Sequence, residues 1–209
     1  MPSLRSLYEA HLLPWLLDLA CGVGPVTRQR AKVVPLARGR VLEIGIGTGL
    51  NLAHYDQSQV SAVIGLDPGT EMHGLARKRS RQSGLAVELV SLSAERIPFP
   101  DASFATVLVT YSLCTIPDPA AALREMRRVL RPDGRLIYCE HGLAPDASVR
   151  QWQHRLTPAW SAIAGGCHLD RDIPALLRAA GFRLPDLQTM YLPGPRPLVF
   201  NYWGTALPE

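Results

Sequence analysis

The stretch Val41-Leu42-Glu43-Ile44-Gly45-Ile46-Gly47-Thr48-Gly49 restricts the fold of this chain more than any other, because an apolar run of strand character ends in three glycines at alternate positions. Such a run predicts a buried strand that leaves its sheet through a tight bend, where missing Cβ atoms let the backbone take left-handed angles and let a ligand approach the main chain. A nucleotide site is the natural reading, and the spacing says which kinds to set aside. The dinucleotide fingerprint G-x-G-x-x-G would need its third glycine at position 50, where Leu50 stands, and Gly49 comes one residue early. No lysine follows for a phosphate-binding P-loop. Glu43 on the strand would repel a pyrophosphate and suit a cationic ligand.

The rest of the chain alternates between strand and helix patterns. Apolar runs predict strands over residues 40–44, 62–66, 86–91, 104–111 and 135–140, with helices between them; that alternation argues for a parallel α/β sheet covered by helices on both faces. Asp118-Pro119 supplies a side-chain cap followed by proline at the first helical position. The rhythm breaks near the end. Runs over 183–191 and 198–203 are joined by Leu192-Pro193-Gly194-Pro195-Arg196, too short for a crossover helix, so they predict an antiparallel hairpin and seven strands in all. Ahead of the first strand, Leu4, Leu7, Tyr8, Leu12, Trp15, Leu16 and Leu19 recur at helical intervals and predict a helix over residues 3–21, followed by a basic connector. Trp152, Leu156, Trp160 and Ile163 predict an inserted helix within 146–166, kinked at Pro158.

With 209 residues, 47% of them hydrophobic, the chain is read as one domain over 1–209, with 1–35 as a helical lid and 146–168 as an inserted cap. The formal charge of +4 rests on twenty arginines and two lysines spread along the chain. In the densest run, Arg77-Lys78-Arg79-Ser80-Arg81, a stripe of Met72, Leu75 and Ala76 leaves most charges on the opposite, solvated face, so no nucleic-acid partner is expected. Cys21, Cys114, Cys139 and Cys167 form no CxxC pair and have no zinc spacing, so they are read as small buried hydrophobes with no metal. No secretory signal and no apolar run near 18 residues is present, which predicts a cytoplasmic protein with reduced thiols. If the first helix exposes its leucines and tryptophan, it would suit docking on a membrane surface.

These motifs, taken in order, resemble the class I S-adenosylmethionine (SAM) dependent methyltransferases. The likeness runs from about Arg38 to Gly142 and rests on VLEIGIGTG, on Asp67 closing the second strand, on Ala94-Glu95-Arg96-Ile97-Pro98-Phe99-Pro100-Asp101, and on Arg128-Val129-Leu130-Arg131-Pro132-Asp133-Gly134-Arg135. One departure is Ala105, where that family usually has Asp. The resemblance implies a Rossmann-like fold with SAM as cofactor. By position it places Gly45, Gly47 and Gly49 along the methionine moiety with Glu43 near its amino group, and Asp67 on the ribose hydroxyls. Met72 would pack on the adenine, and Ala94 and Glu95 would face its exocyclic amine. Thr110, Tyr111 and Ser112 would border the sulfonium and the methyl acceptor, and Asn51 and Pro68 complete the implied cofactor set.

A narrower similarity, to the thiol S-methyltransferase-like subgroup, is carried by Ser112-Leu113-Cys114-Thr115-Ile116, Glu140-His141, Pro158-Ala159-Trp160 and Gly166-Cys167-His168. On that scaffold related enzymes take thiols, phospholipid amines, quinone precursors or arsenicals; the apolar stripe of the inserted helix, read as a cover over the acceptor pocket, favours a small lipophilic acceptor such as a thiol. A protonated thiol needs a base. His141, beside Glu140 at the end of the fifth strand, is the first candidate; His168 and Tyr111 follow.

Overall fold

A computed structural model of the chain describes residues 7–209, so Leu4 of the first predicted helix lies outside the described residues. The fold is organised around β1 (Gly39–Ile44), whose Val41, Leu42 and Ile44 are buried on both sides of the sheet. Its neighbours are β2 (Val60–Leu66) and β4 (Phe104–Thr110), both parallel to it. Outside these stand β3 (Val87–Val90) on β2 and β5 (Leu130–His141) on β4, which makes five parallel strands. β8 (Phe200–Pro208) then runs antiparallel along β5, and the order across the sheet is β3-β2-β1-β4-β5-β8-β6, where β6 is Phe182–Arg183 and β7 (Gln188–Tyr191) also pairs with β8.

The sheet therefore has eight strands where the sequence predicts seven. The run expected over 183–191 splits into β6 (Phe182–Arg183) and β7 (Gln188–Tyr191), both antiparallel to β8. Between them stand Pro185, which has no N–H for the ladder, and Asp186, whose carboxylate accepts the backbone N–H of Thr205 at 2.7 Å in place of a strand partner. β5 starts earlier than predicted because Leu130 already pairs with Phe104; the register then shifts before Arg135 meets Thr106, so Arg131–Gly134 form a bulge within the strand.

Helices cover both faces. α3 (His73–Ser83), α4 (Pro119–Val129) and α6 (Ile173–Ala179) follow the sequence pattern, and Asp118 caps α4 by accepting from the N–H of Ala121 at 2.9 Å. α5 (Ala147–Ile163) is the inserted helix and carries Pro158 inside it. The amino-terminal segment departs from expectation. A π-helical turn (Tyr8–Leu12) leads into α1 (Leu13–Cys21), and the supposed basic connector is a helix, α2 (Gly24–Val33), with Gln29, Arg30 and Val33 buried. Its polar composition hides the buried face, because Arg30 is held by polar partners rather than by apolar packing. Among the described residues no helix is long and apolar enough to cross a membrane.

Candidate functional site

A cavity of about 350 Å³ opens at the carboxyl ends of β1 and β4, between α1, the turn after α5 and the loops that follow β1, β2 and β4. This is where the strand order reverses, and open parallel sheets leave a crevice there because the loops on either side diverge.

The glycine bend forms one wall. Gly45, Gly47 and Gly49 all have positive φ, at 66°, 53° and 82°. A Cβ on Gly45 would sit 2.1 Å from Ser112 Oγ, so no side chain fits there. Gly49 serves a different purpose: it faces away from the cavity, and a Cβ there would meet Leu52 at 2.9 Å and Ala76 of α3 at 3.2 Å. Gly45→Ala is expected to lose roughly 1–2 kcal/mol of stability from the left-handed backbone alone, with more from the displaced Ser112. Urea unfolding measures it, and an unchanged midpoint would mean that the bend has another shape.

Across the bend, Asp67 at the end of β2 is buried and uses both oxygens on main chain. Oδ2 accepts from the N–H of Gly47 at 2.8 Å and Oδ1 from that of Gly69 at 2.8 Å. Burial lifts this carboxyl above its usual range, and the two N–H groups pull the other way. Pro68, Met72 and Ala94 continue the wall, and Met72 folds its sulfur over the bend, 3.7 Å from where a Gly47 Cβ would stand.

Glu43 does not reach the cavity. It lies beneath the bend, 1% exposed, accepting from Asn51 Nδ2 and from the Tyr55 hydroxyl, both at 2.8 Å. Burial raises it to about 7, against the lowering pull of these donors. Asn51, also behind the wall, passes the network on. Arg30 of α2 donates from one guanidinium nitrogen to Asn51 Oδ1 at 2.8 Å and to Thr110 Oγ1 at 2.6 Å. Among the described residues Arg30 is the cation that lines the cavity, and its buried Nε has no partner among them. Sequence reasoning missed it, and the only signal was an arginine in a stretch read as a connector.

Thr110, Tyr111 and Ser112 line the cavity, whereas Glu95 turns outward and accepts from the backbone N–H of Asp118 at 3.2 Å. Tyr111 is held at φ 53°, a strained setting for a bulky residue. Its hydroxyl donates to Asn201 at 2.6 Å, and burial raises the phenol well above its usual value.

α1 closes the opposite side through Leu13, Leu17, Asp18 and Cys21. Asp18 is gripped by Arg79 of α3 at 2.6 Å and 3.0 Å and accepts from Thr48 Oγ1 at 2.5 Å. Arg79 is thus not part of the solvated face expected for the basic run. Of the predicted inserted cap only Gly165 lines the cavity.

His141 also lies off the cavity. Its Nε2 is 3.0 Å from Cys167 Sγ, and Cys114, His141 and Cys167 bring their donor atoms within 4.8 Å of one another. Cys114 and Cys167 are buried, as the sequence reading expects, and they lie together because the loop after β4, the end of β5 and the turn after α5 converge here. Hydrogen bonding from Cys114, aided by His141 and the indole of Trp160, pushes the Cys167 thiol down against the opposing effect of burial. Burial alone would lower His141, but the facing sulfur raises it overall. Glu140 points the other way and accepts the N–H groups of Ser112 at 2.8 Å and Leu113 at 3.2 Å, so its carboxylate is engaged away from His141. His168 Nδ1 sits 2.8 Å from the carbonyl of Gly166.

The chain is similar to known proteins. A family model described as a methyltransferase domain matches residues 42–138. A phosphatidylethanolamine N-methyltransferase of Cereibacter sphaeroides is 38% identical over 116 residues, covering 54% of this chain and 56% of its own length. A thiol S-methyltransferase of Homo sapiens is 30% identical over 176 residues, covering 80% of this chain and 71% of its own. The chain thus spans little more than half the length of the bacterial relative. In solved structures, a SAM-dependent methyltransferase from Methanosarcina mazei superposes with a TM-score of 0.61 at 23% identity, over 81% of this chain and 93% of that one, a likeness of fold.

Proposed function

This chain belongs to the SAM-dependent methyltransferases, and we propose that it moves the methyl group of its cofactor to a small apolar nucleophile, a thiol first among them. The whole chain is read as one catalytic domain, with α1 as its lid.

The residues fit the cofactor on three counts: a bend that a Cβ would obstruct, a buried carboxylate beside it with lone pairs to spare, and a buried guanidinium with an unpartnered Nε. In this reading Asp67 holds the ribose hydroxyls, the backbone of Gly45 and Gly47 lies along the methionine chain, and Pro68, Met72 and Ala94 flank the adenine. Arg30 takes the carboxylate, because it is the cation on the cavity wall. Glu43 acts from behind by fixing Asn51 and, through it, Arg30. Bound SAM supplies an electrophilic methyl carbon open to in-line displacement. The chain's own task is to orient the acceptor and exclude water.

The observation that supports the choice of acceptor is the apolar make-up of the lining, to which Leu13 and Leu17 of α1, Ile116 and Pro117 all contribute. An apolar thiol suits that space. With Tyr111 hydrogen-bonded to Asn201 and His141 to Cys167, this reading uses neither as a base and has the acceptor arrive ionised. Methylation of an alkyl thiol should then rise about tenfold per pH unit below the thiol's own pKa. A rate independent of pH in that range would show that the protein takes the proton. The deciding experiment is transfer of radiolabelled methyl from SAM to a panel of alkyl thiols, phosphatidylethanolamine and phenols. Labelled thioethers are expected; label on the phospholipid with none on thiols would overturn the choice.

Docking on a membrane, from which lipophilic acceptors could enter, has one specific observation in its favour. Leu12, Trp15, Leu16 and Leu19 of the first helical segment are exposed, as are Trp152 and Ile163 of α5. The two sets adjoin, since Tyr8 donates its hydroxyl to the carbonyl of Ile163 at 2.6 Å. Co-flotation with phospholipid vesicles should fall about tenfold in Trp15→Ser or Leu19→Ser, the loss of roughly one buried side chain. Equal flotation of wild type and variants would leave the patch without this role.

A further inference from the structure

We propose that Cys114, His141 and Cys167 bind one thiophilic cation of the zinc type, at a site that shares a wall with the cofactor cavity. The three donors come from three separate elements, 27 and 26 residues apart in the chain, yet their ligand atoms all lie within 4.8 Å of one another. A tetrahedral ion with bonds of about 2.3 Å to sulfur and 2.0–2.1 Å to nitrogen requires donors about 3.6–3.8 Å apart. The cluster therefore needs adjustments of side chains only. Cys114 and Cys167 are 2% and 8% exposed, which removes water from competition for the sulfurs.

The surroundings suit a ligating sulfur. Trp160 donates its indole N–H to Cys167 Sγ at 3.3 Å, the kind of outer contact that orients a ligating sulfur. The loop that carries Cys114 is pinned by the N–H of His168, which donates to the Cys114 carbonyl at 2.9 Å. Among the described residues no fourth histidine, cysteine or carboxylate joins the group. Three protein ligands with one place left over is the pattern of zinc sites that keep an exchangeable position, as opposed to closed structural sites. The fourth ligand would be water or an anionic sulfur. Thr115 and Gly165, near neighbours of the two cysteines in the chain, line the cavity, so the ion would sit directly behind its wall. The geometry stands whether or not a thiol is the methyl acceptor.

The test is spectroscopic and needs no turnover. Full-length protein, reduced and stripped with a chelator, is titrated anaerobically with Co²⁺ and then with Zn²⁺. One equivalent of cobalt should give sulfur-to-cobalt charge-transfer absorption that one equivalent of zinc abolishes. Cys114→Ser and Cys167→Ser should remove that absorption, while Cys139→Ser should keep it. Trp160→Phe, which leaves all three ligands in place, should weaken zinc binding by about 10–100-fold. Absence of the charge-transfer band in reduced wild type, or its survival in both serine variants at the ligand positions, overturns the site.

Discussion

Asp67→Ala is expected to weaken SAM binding by about 1–3 kcal/mol, roughly 5- to 150-fold, because it removes a charged acceptor and strands the N–H groups that it serves. Those groups belong to Gly47 and Gly69, so the carboxylate shapes the bend as well as meeting the ligand. Asp67→Asn keeps one acceptor oxygen and should fall between. Calorimetric titration with SAM and S-adenosylhomocysteine gives the affinities, and a deoxyribose analogue separates the two roles. Wild type should discriminate against the analogue, and the alanine variant should not. If both discriminate equally, the carboxylate does not touch the sugar.

The second large effect is on stability. Glu43 sits at about 7 in the fold, against an ordinary value of 4.5, chiefly through burial. Between these values the folded chain keeps a proton that the unfolded chain has released, so the unfolded state binds fewer protons and stability must fall as pH rises. The loss begins near pH 4.5 and is complete just above 7, and the shift corresponds to roughly 3 kcal/mol. Glu43→Gln removes the titration while mimicking the protonated acid, which can still accept from Asn51 and exchange a hydrogen bond with Tyr55. Relative to wild type, the variant should gain roughly 3 kcal/mol between pH 4.5 and pH 8. Urea midpoints at several pH values measure this; parallel profiles would mean that Glu43 titrates normally.

What could be read in advance follows from how local each signal is. β1, the glycine bend and Asp67 were legible because two-sided burial leaves a continuous apolar run, and because closely spaced glycines mark a bend independently of the rest of the chain. The buried Arg30 was not, because its partners Asn51 and Thr110 lie 21 and 80 residues away and nothing in GPVTRQRAKV marks an inward face. The division of the last hairpin at Pro185 was within reach of elementary rules, whereas the partner that stabilises it, the Thr205 N–H, was not. His141 shows the limit most clearly. Its place at the end of β5 could be deduced, but what it faces depends on a turn 26 residues later that brings Cys167 against it.

The grip of Arg79 and Thr48 on Asp18 has a bearing on how ligands come and go. α1 is fastened at its polar edge by charge and along its inner edge by Leu13 and Leu17, and these two fastenings respond oppositely to the solvent. Sodium chloride screens the first, while sulfate, excluded from apolar surface, tightens the second. Nucleoside escape should therefore quicken in the one salt and slow in the other at matched ionic strength, a signature that a rigidly open crevice would lack.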